Sequence, residues 1–359
     1  MAQIDLSGLW AVEMLIAAFA GGAFGAALGA LPAFIFTGFM VIAGEAAEIA
    51  NRHIGQTVGI SAAELDAVGI TGSIAFGPVF GPHISFAAGA AAAAYAARKG
   101  YIDDPGFDYH PAKDIPYALG TKPDVLAVGG IFGIVGYWIA TLSGALSLPW
   151  DPIAMGVTLS ALVHRVAFGY PIVGDTSRGL LNMKPFEAEE MRVMGEHATD
   201  GGAENSRFLV EPWLPHQYKW ANVAAIGAVV GVLAAYTAYV TESAFLAFGI
   251  SAASLVFLNL GVANIPVTHH MALPASTAAL ALVPQGTPIT EASLVVVLVV
   301  GAAFGLICAL FGELFQRVFY AHGDTHWDPP AAAIVFGTFL IAVLALVGVL
   351  PQSVWVPLP

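Results

Sequence analysis

Long apolar segments separated by short polar ones run along almost the whole chain. Each has about 20 residues or more, which is enough for an α-helix to cross the ~30 Å hydrocarbon core of a bilayer. The segments lie at 13–31, 32–50, 68–97, 125–147, 152–170, 221–241, 243–262, 264–284, 292–320 and 330–350. This pattern predicts an all-α polytopic membrane protein with about ten transmembrane helices.

Two polar stretches interrupt the apolar pattern, a short one at 98–124 and a longer one at 171–219. The longer stretch separates two groups of five segments. We therefore expect residues 1–170 to form a first five-helix repeat and residues 220–359 a second, joined by an acidic loop at 171–219.

Short sequence matches recur in the same order in both groups. The matched stretches are 21–25 with 227–231, 33–38 with 244–249, 81–83 with 269–270, 129–133 with 301–305, and 150–152 with 327–329. Internal repeats in an apolar chain are typical of transporters. Because five is an odd number of crossings, adjacent repeats of this kind would be inverted with respect to each other. A re-entrant segment would instead make the repeats parallel, so that alternative stays open.

Positive charges are concentrated in the two polar stretches, which predicts that both face the cytoplasm. The residues concerned are Arg98, Lys99, Lys113, Lys122, Arg178, Lys184, Arg192, Arg207 and Lys219. Only Arg52 falls in a loop on the opposite side. The expected localisation is therefore the cell membrane, with both termini outside, and no signal peptide is expected because no basic region precedes the first apolar run.

Composition supports a membrane protein and limits its partners. The chain is 58% hydrophobic and 10% charged, whereas a soluble domain is about 25% charged. A net charge of −13 disfavours nucleic acid and anionic headgroups as partners. We expect membrane lipid around the helices and a homo-oligomer packed through Gly-x-x-x-Gly faces. The single cysteine, Cys308, excludes an intrachain disulfide and a cysteine-cluster metal site.

An acidic loop composition with scarce lysine and helices rich in Ala, Gly and Val resembles that of uncharacterised haloarchaeal multi-pass membrane proteins. The resemblance is compositional, covers the whole chain and implies no particular activity.

Prolines interrupt the third and eighth apolar segments, beside histidines. Pro82 precedes His83, and Pro266 precedes His270. Broken helices at matching positions of two repeats indicate a site at the membrane midplane, where His83 and His270 would face each other. The candidate substrate- or ion-binding residues here are His83, Ser85, Asn264, Thr268, His269 and His270. The alternative is that the histidines only cap carbonyl groups freed by the kinks.

Three carboxylates complete the candidate substrate- or ion-binding set. Glu45 and Glu48 share one helical face near the end of the second segment, where they would either collect cations at an outer mouth or form a solvated helix end. Glu313 lies four residues before Arg317. That spacing suits an intrahelical ion pair, although Glu313 would equally serve as the counter-ion of a transported species.

The turn at 322–328 carries candidate metal ligands at alternate positions. They are His322, Asp324 and His326, whose imidazole and carboxylate groups suit zinc or a similar divalent ion. In the alternative interpretation, the sequences Asp328-Pro329 and Asp151-Pro152 simply start helices, with Asp as the N-cap and Pro in the first turn. No other cofactor is expected.

These patterns favour a transporter or channel for an ion or small solute, with no catalytic residue assigned. The chain has no Gly-x-x-x-x-Gly-Lys loop, His-Glu-x-x-His or Gly-x-Ser-x-Gly motif, so neither nucleotide binding nor these hydrolase types is expected. Two alternatives stay open, namely an intramembrane metal-dependent enzyme and a structural or scaffolding membrane protein.

Overall fold

The computed structural model describes residues 5–59, 69–102, 108–192 and 207–359, which are mostly α-helical. The α-helices are α1 (Val12–Leu28), α2 (Ala30–Val58), α3 (Ser85–Arg98), α4 (Pro123–Ala145), α5 (Pro152–Ala167), α6 (Lys184–Glu187), α7 (Trp220–Thr241), α8 (Leu246–Asn259), α9 (His269–Leu280), α10 (Leu294–Phe319) and α11 (Pro329–Leu346). Two short strands, β1 (Met191–Arg192) and β2 (Arg207–Phe208), form an antiparallel pair.

Five of these helices are long and apolar enough to cross a membrane, which supports a membrane protein. They are α2, in which residues 30–55 qualify, and α4, α7, α10 and α11. Helices α1, α5 and α8 are apolar but shorter. The described residues therefore do not show ten full-length spans. The physical reason is that the chain breaks within several of the predicted segments and leaves shorter helices.

The predicted breaks in the third and eighth segments are present. The third segment forms a π-helical turn (Ile70–Ala75), then non-helical turns at 76–84, and only then α3. The eighth segment is non-helical until α9 begins at His269. Proline lacks a backbone donor and clashes with the preceding turn, so Pro78, Pro82 and Pro266 keep these stretches out of a continuous helix.

The last helix of each half begins at an aspartate. Asp151 Oδ1 accepts hydrogen bonds from the backbone N–H of Ile153 (2.8 Å) and Ala154 (3.3 Å) at the start of α5. Asp328 Oδ2 accepts one from Ala331 (2.7 Å) at the start of α11. Each aspartate is followed by proline in the first turn. The capping interpretation of both sequences is therefore confirmed.

Helices pack in the same order in the two halves. Helix α1 packs on α3 and α4, and α4 packs on α3 and α5; likewise α7 packs on α9 and α10, and α10 packs on α9 and α11. The halves meet where α2 packs on α8 and α5 packs on α11. The site described below lies between these two contacts.

Both contacts between the halves are antiparallel. Along α2 and α8, Gly38 lies against Ala252 and Ala253, whereas Gly249 lies against Val41, so the positions advance in opposite directions. Along α5 and α11, the backbone N–H of Asp151 donates to Thr338 Oγ1 (3.0 Å), and His164 Nε2 lies 2.9 Å from Thr325 Oγ1. At each of these contacts, a helix of the first half thus runs opposite to a helix of the second half.

Glycines bring α1 and α4 into backbone contact. A Cβ atom on Gly22 would collide with the carbonyl oxygen of Gly129 and would lie 2.8 Å from Gly133 Cα. The same arrangement recurs between α7 and α10, where Gly231 meets Gly301 and Gly305. Small residues of this kind allow close packing of membrane helices.

A Gly22→Ala variant is expected to lose about 1–3 kcal/mol of stability, because the added methyl group forces two backbones apart. The matched control is Gly144→Ala, since Gly144 lies in the partner helix α4 but nothing lies within 4 Å of an added Cβ atom there. Thermal unfolding of the purified variants in detergent, followed by tryptophan fluorescence, checks the difference. Equal midpoints for the two variants would contradict the backbone contact.

Candidate functional site

A cavity of about 740 Å³ lies between the two halves of the chain. Its walls are mainly apolar and come from helices and loops of both halves. The apolar residues include Leu31, Phe34, Phe76, Phe86, Val157, Trp213, Leu214, Phe248, Leu255, Val267, Leu273 and Ile334. A concave, largely apolar space with a few polar groups is the usual form of a small-molecule site.

The two polar stretches come together at one end of this cavity, which we call the loop end. Residues 108–116 and 208–216 both contribute to its lining. They are joined directly, since Phe208 N–H donates to the Asp108 carbonyl oxygen (3.0 Å) and Tyr109 Oη donates to the Pro212 carbonyl oxygen (2.8 Å). The loops therefore form one layer that adjoins the cavity.

Carboxylates of both halves line the cavity. Asp151 and Asp328 are both lining residues and are the N-caps of α5 and α11. Asp328 Oδ1 also lies 3.1 Å from His326 Nε2. Because Asp151 bonds to Thr338, which is ten residues along α11 from Asp328, the two carboxylates are separated by about 15 Å along the helix pair at 1.5 Å per residue.

His269 is the histidine of the eighth segment that lines the cavity. It is the first residue of α9, its ring contacts both Phe34 (4.7 Å) and Phe248 (5.8 Å), and the residue is 5% exposed. Its Nδ1 atom has no hydrogen-bond partner among the described residues. The Nδ1 atoms of His83 and His270 also have no partner among the described residues, so what distinguishes His269 is its place in the cavity wall.

The other two histidines of the predicted site are buried away from the cavity lining. His83 packs against Gly136 of α4 and Gly156 of α5. His270 packs against Gly312 of α10 and lies 6.0 Å from the Trp213 ring. The described contacts place the two rings against different helices, and neither residue is part of the cavity wall.

Three further candidates of the broken segments occupy different environments. Asn264 lines the cavity and has a positive φ of 61°. Thr268 Oγ1 is 2.5 Å from Ser251 Oγ, and Ser85 Oγ donates to the Phe80 carbonyl oxygen (3.2 Å). The two hydroxyl groups therefore hold the non-helical segments in place rather than lining the cavity.

Glu45 and Glu48 do not form a shared outer site. Glu45 is 3% exposed, and its carboxylate accepts hydrogen bonds from Thr71 Oγ1 (2.8 Å) and from Ser243 Oγ. Glu48 is exposed on the same helix. Neither a cation-collecting pair nor a solvated helix end describes Glu45, because α2 continues past it to Val58 and other segments cover it.

Glu313 forms the intrahelical ion pair that its spacing predicted. Arg317 Nε lies 2.6 Å from Glu313 Oε1, and Gln316 Nε2 donates to the same oxygen at 3.0 Å. The guanidinium group also donates to the Tyr218 carbonyl oxygen (2.8 Å). Glu313 is not part of the cavity wall, so its contacts are those of a structural group.

The candidate metal ligands of the 322–328 turn have separate partners. His322 Nε2 lies 2.9 Å from the Leu180 carbonyl oxygen, Arg207 donates to Asp324 Oδ1 (2.6 Å), and His326 pairs with Asp328. Within the part of the chain that the structure describes, no group of three or more His, Cys, Asp or Glu side chains could hold a metal ion. Side chains at alternate positions of this turn point to different neighbours.

A buried ionic cluster at the loop end was not predicted from the sequence. Lys113 Nζ lies 2.5 Å from Glu211 Oε2, and Arg207 bridges Glu211 Oε1 (3.0 Å) and Asp324 Oδ1 (2.6 Å). Lys113 also donates to the Tyr320 carbonyl oxygen (2.9 Å). The cluster joins the two polar stretches to the segment between α10 and α11.

Burial and neighbouring charges act in opposite directions within this cluster. Burial lowers the pKa of Lys113 to about 8, although Glu211 acts to raise it. Burial alone would raise the pKa of Asp324, but Arg207 and other nearby cations outweigh it and lower that pKa. The sequence pattern identifies Lys113 and Arg207 only as loop cations, because Lys113 is 98 residues from Glu211 and Arg207 is 117 residues from Asp324.

Comparison with known proteins identifies a family of unknown function. No curated protein and no solved structure matches the chain. The model of a family of unknown function, DUF7973, matches residues 4–359. The match includes both halves, the cavity and the ionic cluster. The chain belongs to the family of unknown function DUF7973.

Proposed function

We propose that this protein is a membrane transporter that binds a small solute in the cavity between its two halves. The observation that carries the proposal is the cavity itself, which has a volume of about 740 Å³ and is lined by residues of both halves. Transporters built from two repeats bind their substrates at the repeat interface, beside discontinuous helices. Here α9, whose first residue His269 lines the cavity, begins at such a break.

The arrangement of helices supports an inverted repeat. Equivalent helices pack in the same order in both halves, and the two contacts between the halves are antiparallel. An axis that relates antiparallel membrane helices lies in the membrane plane, which is the geometry of inverted-repeat transporters. We propose residues 1–170 and 220–359 as the two repeats, with the loop end of the cavity facing the cytoplasm, in accord with the excess of Lys and Arg there.

The character of the cavity favours a carrier over an ion channel. Channel filters are built from rings of carbonyl oxygens or charged side chains, whereas the wall of this cavity is mainly apolar. Its volume falls within the range of roughly 300–1,000 Å³ typical of small-molecule sites. An organic solute that is bound and released fits these walls better than a hydrated ion.

Filling the cavity tests the proposal. Ala331 lines it, so we expect an Ala331→Trp variant to lose solute uptake at least several-fold, since the indole occupies the space of the solute. The control is Ala225→Trp on the exposed face of α7. The measurement is uptake of a radiolabelled panel of amines, amino acids, sugars and carboxylic acids into proteoliposomes, with wild-type protein first identifying the transported solute.

Two results would contradict transport through the cavity. One is wild-type uptake no faster than in empty liposomes across the whole panel. The other is an Ala331→Trp variant that is correctly folded and moves the solute as fast as the Ala225→Trp control.

A further inference from the structure

We infer that the cavity selects an organic cation, an inference that names the substrate class and rests on the proposed transport function. The reasons are the wall carboxylates that have no Lys or Arg partner among the described residues, the aromatic rings that share the wall, and the imidazole of His269. The ligand class is an ammonium-like or other organic cation with apolar substituents.

The negative charges of the cavity wall lack basic partners of permanent charge. Three carboxylates line the cavity, Asp108 at the loop end and Asp151 and Asp328 at the helix starts. None of them has a Lys or Arg within ion-pair distance among the described residues, and Asp328 lies 3.1 Å from His326. The residues that follow Asp151 and Asp328 in α5 and α11 and also line the cavity are apolar. A bound cation would stabilise a carboxylate in such surroundings more than a neutral or anionic solute would, because burying an unpaired charge costs free energy.

The lysine that lines the cavity is already paired with a carboxylate. Lys113 lines it, but its ammonium group is engaged by Glu211 Oε2 (2.5 Å) and by the Tyr320 carbonyl oxygen (2.9 Å). The N-terminal turns of α5 and α11, which would otherwise attract an anion, are occupied by the carboxylates of Asp151 and Asp328. An anionic solute would therefore meet like charge at both helix ends.

Aromatic rings form part of the same cavity wall as the carboxylates. Phe34 contacts Phe86 (5.7 Å) and Phe248 (6.0 Å) in edge-to-face geometry, and Phe76, Phe208 and Trp213 add further rings to the wall. Aromatic faces attract cations and accommodate their apolar substituents. Anions gain no comparable attraction from ring faces.

His269 supplies a polar contact in the middle of this aromatic wall. The residue is 5% exposed, lines the cavity and has an Nδ1 atom with no partner among the described residues. A neutral imidazole accepts a hydrogen bond at one ring nitrogen and donates one at the other. The ring can therefore accept an N–H of an ammonium-type solute without adding positive charge.

The test is a comparison of two probes of the same shape and opposite charge, tetraphenylphosphonium and tetraphenylborate. Binding of each to purified protein in detergent is measured by equilibrium dialysis against protein-free micelles. Wild-type protein is expected to bind the phosphonium about tenfold or more tightly than the borate, which corresponds to about 1.4 kcal/mol. Similar affinities for the two probes, or tighter binding of the borate, would overturn the inference.

Removing the two helix-capping charges should remove most of the preference. In the Asp151→Asn, Asp328→Asn double variant, which keeps Asp108 in the wall, we expect the phosphonium-to-borate ratio to fall well below the wild-type value, whereas the exposed Glu48→Gln control should keep the wild-type ratio. Asparagine is as good an N-cap as aspartate, so α5 and α11 keep their starts. The two single variants serve as a second route if the double variant does not fold, and each should lose part of the preference. A wild-type ratio that survives in all of them would also overturn the inference.

The cation site and the transport function can be refuted independently of each other. Selective phosphonium binding by a protein that moves no solute would retain the cation site and refute the transporter. Uptake of an uncharged or anionic solute by a protein without phosphonium preference would refute the cation site and retain the transporter.

Discussion

A Glu211→Gln variant is expected to have a free energy of unfolding about 3–5 kcal/mol lower than that of wild type, because breaking a buried ion pair leaves an uncompensated charge. Glu211 and Lys113 are each only 1% exposed. Glutamine would leave Lys113 with the Tyr320 carbonyl oxygen and without a bonded carboxylate. Arg207 would retain Asp324 but lose Glu211. Chemical denaturation in detergent measures the difference.

An exposed ion pair provides the matched control. Arg178 and Glu190 lie 3.3 Å apart, with side chains 60% and 40% exposed. A Glu190→Gln variant should therefore lose less than about 1 kcal/mol. If the two variants lose the same stability, the cluster around Glu211 does not hold the loop end together.

The stability lost in Glu211→Gln should shrink as the pH rises. Burial lowers the pKa of Lys113 to about 8 in the folded protein, below its ordinary value of 10.5, and loss of the carboxylate lowers it further. Between the folded and the ordinary pKa, the unfolded chain binds more protons than the folded one, so the free energy of unfolding rises with pH in that window. Denaturation at pH 7 and pH 9 checks the direction; a larger loss at pH 9 would contradict it.

If the protein transports an organic cation as we propose, a His269→Leu variant is expected to lose about 10–100-fold in kcat/KM for that cation, the effect of removing a hydrogen bond to a charged group. Leucine keeps the apolar contact with Phe34 and Phe248, so the change is chiefly the loss of the imidazole nitrogens. The measurement is initial uptake into proteoliposomes over a range of solute concentrations, normalised to the amount of folded protein.

The adjacent residue is the control. His270 undergoes the same chemical change in His270→Leu, yet it packs on Gly312 and Trp213 and is not part of the cavity wall. We expect this variant to lower stability and leave KM within about twofold of wild type. The reverse result, with transport lost in His270→Leu and retained in His269→Leu, would restore the site centred on His83 and His270 that the sequence pattern suggests.

Features that depend on neighbouring residues were predictable from the sequence. Asp151 and Asp328 start helices because aspartate caps and proline fits the first turn, and both requirements are local. The breaks before α3 and α9 follow from prolines in the same way. The close helix contacts at residues 129–133 and 301–305 were predictable because they require glycines at regular spacing.

Features that depend on the rotation of a helix or on distant partners were not predictable. His269 and His270 are consecutive, and on a helix consecutive side chains point about 100° apart. Which of them lines the cavity is set by how α9 packs on α10 and α11, and a single sequence does not show this. The ionic cluster is harder still, because Lys113, Glu211 and Asp324 belong to three separate segments whose contact depends on the complete fold.

The antiparallel contact of α2 with α8 has an evolutionary consequence. Under the proposed inverted repeat, this contact is isologous, as in a two-fold dimer, so one half carries every surface needed to bind an upside-down copy of itself. An ancestor of half this length would have built the same cavity as a dimer of oppositely inserted copies. After fusion, the two halves can acquire different residues at equivalent positions. If Gly38 is aligned with Gly249, the buried Glu45 is equivalent to Val256. Two identical copies could not differ at this position.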